Sequence, residues 1–209
     1  KYVLMKTGVF TSTIAEAGAF IKTKDELEAP NIQLHYAPAM VIDHGRKSAW
    51  GTGLSCHSCL LRPKSRGEVT LESADPFADP LIDPKFLTHP DDMQDMIDGY
   101  KAMMKVLNNA SFSKYISQNT QRPIDINDDA DIEKAIREEA DTVYHPVGTC
   151  KMGDDDMSVV SSDLKVHKMK GLRVVDASIM PTLVGGNTNA PTIMIGEKAS
   201  DLILNEWRI

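Results

Sequence analysis

Two stretches decide how this chain is read: Tyr144–Gly153, YHPVGTCKMG, and Arg173–Asp201, RVVDASIMPTLVGGNTNAPTIMIGEKASD. In the first, His145 stands between an aromatic residue and Pro146, whose ring restricts the residue before it, so the backbone is stiff and the imidazole's aim is fixed. The second reads as a strand over Leu172–Val175, a tight turn, a loop, and a helix opened by Pro191. Between strand and helix lie Gly185, Gly186, Asn187 and Asn189, where backbone can come close to a flat ligand.

Outward from these stretches, the chain runs through several strand patterns in succession before any helix. Thr7–Lys22 reads as a strand with a bend near Gly18. Asn31–Asp43 reads as a second strand, with Ile32, Leu34 and Tyr36 alternating against Gln33 and His35, and with Pro38 bulging it or confining it to an edge. Ser48–Leu61 is a third, and Gly67–Ser73, where Val69 and Leu71 alternate with Glu68, Thr70 and Glu72, is the cleanest. Strands in succession with no crossover helix between them predict antiparallel pairing. Asp75–Pro90 carries repeated X-Pro steps and reads as a rigid connector. Pro90 then opens a helix with Asp91 and Asp92 in its first turn and an apolar stripe of Met93, Met96, Ile97, Tyr100, Met104 and Leu107. A methionine stripe can line an adaptable binding surface, but here it reads as the face packed on the sheet. A second helix is expected over Asp131–Ala140. The predicted fold is α+β, an antiparallel β-sheet with helices packed on one face. From about His145 a C-terminal tail follows.

Composition narrows the class. The 209 residues, 42% hydrophobic and 25% charged, suit one substantial core with an extension. A formal charge of −7 and no basic patch interleaved with aromatics argue against a nucleic-acid partner. No apolar run reaches membrane-spanning length and no signal peptide opens the chain; Lys1 lies within sequence that already reads as ordered, as in a truncated product. Three cysteines form no closed disulfide framework and point to a reducing compartment.

Several motifs fail their own chemistry. Cys56 and Cys59 have C-x-x-C spacing, but their surroundings read as a strand, which sends residues three apart to opposite faces, and no second pair completes a zinc site. Asp125, Asn127 and Asp129 have calcium-loop spacing, yet Ala130 and Ile136 stand where glycine and a chelating glutamate are needed. Cys150 follows His145 by five positions, without other signs of a thiol enzyme. GTGLSC at Gly51–Cys56 lacks the last glycine and the following helix of a dinucleotide fingerprint. No site for the adenine half of a dinucleotide is legible, and no metal is expected.

Taken in order, YHPVGTCKMG, SVV followed by KVH, LRVVDASIMP and GGNTNAPTIMIGEKASD resemble the C-terminal signature of the glucose-methanol-choline (GMC) family of flavin-dependent oxidoreductases. The similarity continues upstream through DHGRK, RPKSRGEVTLESADP and PLIDPKFL, phrases most like the bacterial choline dehydrogenases and the alcohol dehydrogenases for aliphatic alcohols. The resemblance implies an N-terminally truncated substrate-binding domain over 1–144, with 145–209 carrying the catalytic motif and returning to an FAD domain missing from the chain. FAD is then the cofactor of the full-length protein and absent from this fragment.

Oxidising an alcohol removes a hydride from carbon and a proton from oxygen. By resemblance His145 is the base that takes the proton while flavin N5 takes the hydride, and Asn187 donates to the oxygen as it gains alkoxide character. Asp176 and Ala177 match the family's approach to the ribityl and pyrophosphate region. Asn189, Ala190, Pro191 and Thr192 place a helix N-terminus by the pyrimidine edge of the ring, where it would stabilise negative charge. Singly, a histidine in a turn is usually structural and Asn beside Gly usually marks a turn. The ordered set outweighs that reading.

The expected substrate is a primary alcohol, aliphatic or choline. Choline recognition calls for an aromatic cage with an acid. Only 6% of residues are aromatic, and Phe10, Phe20, Tyr36 and Trp50 form no clear cluster, which favours a neutral aliphatic alcohol. The electron acceptor is left open between a quinone, the expected one, and oxygen, and the expected location is cytoplasmic, either free or peripheral on the inner membrane. Detached from the flavin domain, the tail is expected to expose Ile193, Ile195 and Leu202, with a homodimer or partial disorder as the consequence. The competing readings are an isolated non-catalytic domain acting as a binding or structural module, and a metal or thiol hydrolase.

Overall fold

The computed structural model describes residues 2–8, 11–47, 51–116 and 123–207. In chain order the elements are α1 (Tyr2–Met5), β1 (Ala17–Ile21), β2 (Ile32–Ala37), β3 (Ser55–Leu60), β4 (Glu68–Thr70), β5 (Leu81–Asp83), α2 (Pro90–Leu107), α3 (Ala110–Ser113), α4 (Asp129–Glu139) and α5 (Asn189–Trp207). 3-10 turns at Asp43–Gly45 and Ala177–Ile179 punctuate the loops. The chain divides into two compact units, Lys1–Leu60 with Asp91–Ala140, and Leu61–Pro90 with Asp141–Ile209.

In the first unit β1, β2 and β3 form an antiparallel sheet in that order, with Ala19 opposite Leu34 and Leu34 opposite Ser58. The alternation in β2 sets the core: Ile32 and Leu34 are 0% and 1% exposed. Met103 joins them, and Tyr100, Met104 and Leu107 of α2 pack against the same cluster, so the methionine stripe is a packing face. Gly99 is what lets the helix come close. A Cβ there would lie 2.8 Å from Ile32 Cδ1. Asp91 and Asp92 in the first turn of α2 complement its dipole. The carboxylate of Asp128 caps α4 by accepting from Ala130 N at 2.9 Å. Ile132, Ala135 and Ile136 of α4 are buried, and Lys101 pairs with Asp129. The acids of 125–131 therefore serve turns and a helix start: Asp125 accepts from Asn127 N and Asp131 accepts from Asp125 N.

The second unit holds a two-stranded antiparallel ribbon, β4 with β5, and a separate apolar core. That core is Val160, Leu164, Ile179, Met180, Ile195 and Ala199, with Val147, Val184 and Leu202 among the side chains packed on it. Lys165 and Arg173 both pair with Glu206, tying the last turn of α5 to the loops before it. Both cations hold the Glu206 carboxyl below the usual carboxylate range, Lys165 contributing most.

The α+β architecture with antiparallel strands is the one the sequence predicts, but several elements differ. Among the described residues of 7–22, only β1 is strand. Ser12 Oγ accepts from Ile14 N at 3.0 Å, and Ile14 has φ 69°, so the chain turns there instead of extending. Pro38 ends β2 rather than bulging it, and β2 is the central strand, not an edge. The third strand begins only at Ser55; residues 48–50, including Trp50, and Phe10 lie outside the described residues. β4 is three residues long and pairs with β5, which forms inside the stretch read as a connector. Its alternation buries nothing: Val69 is 49% exposed. Leu172–Val175 makes a single bridge, Lys165 to Arg173, instead of a strand. In the tail Ile193 is exposed as expected, but Ile195 and Leu202 pack into the unit's own core; Met194, Leu204 and Trp207 are exposed instead.

Two outcomes follow from this packing. Truncating Ile32 to Ala should lower stability by about 3 kcal/mol, read from the urea midpoint, because the side chain is fully enclosed. Because the Glu206 carboxyl is depressed, its tie is fully present above the unfolded carboxylate value and lost as pH falls through the lower folded value. The protection factors of amides in the last turn of α5, taken against their intrinsic exchange rates, should therefore fall only at acid pH, and Glu206→Gln should show that lower protection already at neutral pH.

Candidate active site

His145 is held by backbone on both sides. Tyr144 before it adopts φ 62°, a left-handed conformation that costs a bulky residue about 1–3 kcal/mol. Tyr144 N donates to Thr142 Oγ1 at 2.9 Å, which supports that turn. After Pro146, Val147 packs on the core and Gly148 turns at φ 88°, where a Cβ would lie 3.2 Å from Met180 O. Cys150 N then donates to Ser178 O at 3.0 Å and Met152 N to Ile179 O at 2.8 Å. The segment carrying the histidine is thus strapped to the 3-10 turn at Ala177–Ile179. Asp176 caps that turn, accepting from Ser178 N at 2.7 Å.

The opposite wall is the loop that opens α5. Val184 packs on the same core. The guanidinium of Arg62 lies against the loop at Gly185, where a Cβ would push it aside. Thr188, 9% exposed, accepts at its carbonyl from Thr192 N at 3.0 Å and from Thr192 Oγ1 at 2.6 Å. These anchors bring two side chains to one imidazole. Asn187 Nδ2 lies 2.9 Å from His145 Nε2, and Thr188 Oγ1 lies 2.9 Å from His145 Nδ1.

His145 and Asn187 are therefore in direct contact, across 42 positions of sequence. Asn189 and Ala190 are exposed in the first turn of α5, and Pro191 and Thr192 half-buried. That turn contains no acid, unlike those of α2 and α4, so the positive end of its dipole is not offset by its own side chains. Asp176 is exposed and Ala177 half-buried, on the turn that receives Cys150 and Met152. Thr188, Arg62 and the left-handed Tyr144 were not singled out by sequence. Thr188 had only a partial signal, since a threonine just before a helix marks a cap position, whereas its hydroxyl meets the His145 ring. Arg62 had none, because its placement depends on a fold contact with Gly185.

The other candidate chemistries find little here. Cys56 and Cys59 lie on β3, and burial pushes both thiols up. GTGLSC runs irregular chain into β3, with no helix after it. Among the described residues no group of three or more His, Cys, Asp or Glu could hold a metal ion, and no helix is long and apolar enough to cross a membrane. At pH 8 iodoacetamide should label Cys56 and Cys59 far more slowly in the folded chain than after unfolding, as peptide mapping would show; equal rates would contradict their burial.

Residues 63–196, which include His145, Asn187 and the start of α5, match the family model described as GMC oxidoreductase. The chain belongs to the GMC oxidoreductase family. Enzymes of this family depend on FAD. The GMC chain is 46% identical over 98% of its length to an alcohol dehydrogenase [acceptor] of Pseudomonas putida, and 42% identical over 94% to an oxygen-dependent choline dehydrogenase of Klebsiella pneumoniae. It spans 37% and 36% of those proteins, about a third of their length. Among solved structures it resembles pyridoxine 4-oxidase from Mesorbium loti, with TM-score 0.81 and 25% identity, covering 90% of this chain and 37% of that one. It also resembles formate oxidase from Aspergillus oryzae, studied for FAD modification, with TM-score 0.81 and 29% identity, covering 87% of this chain and 32% of that one.

Proposed function

We propose that this chain supplies the catalytic edge of an FAD-dependent oxidoreductase that oxidises a primary alcohol to the aldehyde. The observation that carries the reading is the contact between His145 and Asn187, a proton acceptor and a carboxamide donor brought to one point from distant parts of the chain. When bound, the flavin supplies the hydride acceptor. His145 takes the hydroxyl proton at Nε2, and the electron pair of the O–H bond stays on oxygen. Asn187 Nδ2 donates to that oxygen as its charge grows; a carboxamide does so at any pH without competing for the proton.

The residues present fit part of a flavin site. The acid-free first turn of α5, Asn189 to Thr192, would hold the electron-rich edge of the ring, and Asp176 with Ala177 would lie along the ribityl chain. No glycine-rich phosphate loop in this chain fits the adenine half, so the chain alone is proposed to retain no FAD. Functionally, 1–144 forms the substrate wall and 145–209 the catalytic edge and return to the flavin domain. An aliphatic alcohol is favoured over choline, in line with the few aromatic side chains and with the relative named alcohol dehydrogenase. The proposed electron acceptor is a quinone, reached from the cytoplasmic face of the inner membrane, and the exposed Ile193, Met194, Leu204 and Trp207 of α5 are proposed to support a homodimer.

The test is anaerobic bleaching of the flavin absorbance in the full-length protein on mixing with butanol or with choline. Bleaching by butanol is expected; bleaching by neither would refute the reading. Flavin-loaded His145→Gln should lose about 10²- to 10⁴-fold in the rate of bleaching, and Asn187→Ala about 10²-fold.

A further inference from the structure

We propose that Thr188 is a positioning residue that locks His145 in its Nδ1–H tautomer. A carboxamide nitrogen can only donate, so Asn187 Nδ2 at 2.9 Å makes His145 Nε2 the acceptor. A neutral imidazole carries one N–H, which must then sit on Nδ1. It meets Thr188 Oγ1 at 2.9 Å, and a hydroxyl oxygen has lone pairs to accept it. The partner is well placed to hold a tautomer. Thr188 is 9% exposed, so water does not readily replace it, and its β-branched side chain is stiff at χ1. Its carbonyl accepts from both the backbone and the hydroxyl of Thr192, which fixes Thr188 to the first turn of α5.

The consequence rests on the function proposed above: the lone pair that must take a proton is on Nε2, the nitrogen beside Asn187. Left to itself a neutral imidazole in water favours the other tautomer, with its proton on Nε2 and its lone pair on Nδ1. The hydrogen bond made by one ring nitrogen decides the state of the other. Thr188 thus prepares the base before substrate arrives. As the ring gains a second proton, Oγ1 continues to accept from Nδ1 and shares the positive charge.

Nitrogen-15 ring correlation spectra of the full-length protein test this, with the His145 signals identified by their loss in His145→Gln. The wild type should show a protonated Nδ1 and an unprotonated Nε2 in the neutral ring. Thr188→Ser should keep that pattern and Thr188→Val should shift it towards protonated Nε2. In the flavin-loaded enzyme Thr188→Val should lower kcat about tenfold or more with little change in KM, and Thr188→Ser should restore most of it. A wild-type Nε2–H tautomer, as a reversed Asn187 carboxamide would produce, overturns the proposal whether or not Thr188→Val folds. An unchanged tautomer in a folded Thr188→Val overturns it too. A wild type with the stated tautomer but no alcohol-dependent bleaching would support the lock and strike only the proposed function.

Discussion

One imidazole carries contacts from residues 42 and 43 positions further along the chain, and the rest of its unit is arranged to make that closure hold. The two hydrogen bonds cannot hold it themselves. Each is worth only about 1 kcal/mol net, less than the cost of ordering the loops that carry them. What brings the segments together is shared apolar burial. Val147 two residues after the histidine, Val184 three before the asparagine, and Ile195 and Ala199 of α5 all pack on the cluster of Val160, Leu164, Ile179 and Met180. Buried apolar area at roughly 25 cal/mol per Å² outweighs the hydrogen bonds several-fold over such a cluster. Hydrophobic packing sets the distance, and the polar contacts then set the orientation.

The helices in this chain divide by what their first turns hold. α2 begins with Asp91 and Asp92, and α4 with Asp129 and Asp131 behind the Asp128 cap. Each gains roughly 0.3–1 kcal/mol per acid from the dipole. α5, the longest of the five at 19 residues, has none. Its N-terminus instead abuts the Asn187–Thr188 loop, where an acid would both cancel the positive end and compete for the imidazole. The stability that α5 forgoes at its start is recovered elsewhere, through Ile195 and Ala199 in the core and Glu206 in the Lys165–Arg173 pair.

Sequence reading succeeded where local pattern and tertiary burial agreed. The Ile32–Leu34–Tyr36 alternation and the stripe of α2 are both sides of one interface, so each pattern reported the same core. The stretch carrying His145 and Asn187 was legible because it lies within residues 63–196, which match the family model. It failed where pattern had no burial behind it. Val69 and Leu71 alternate cleanly, yet β4 pairs only with β5 and stays exposed, while Leu81–Asp83 was obscured by flanking prolines that a two-stranded ribbon tolerates. Leu172–Val175 looks like a strand by composition, but it finds only a one-bridge partner in the loop at Lys165. Thr188 and Arg62 could not be assigned roles from composition, because each role is a distance to an atom remote in sequence.

The backbone around the histidine shows how tightly its direction is specified. Tyr144 sits in the left-handed region, and Pro146 excludes helical backbone for His145, so the main chain on either side has few alternatives. Strain of about 1–3 kcal/mol at Tyr144 persists only if something else over-determines the turn. Val147 in the core, together with the Cys150 and Met152 bonds to the turn at Ala177–Ile179, does so from the C-terminal side. A glycine at 144 would remove the strain, but it would also widen the range of directions open to the ring. The energy held at Tyr144 and the two contacts at the imidazole therefore act on one quantity, the direction of the Nε2 lone pair.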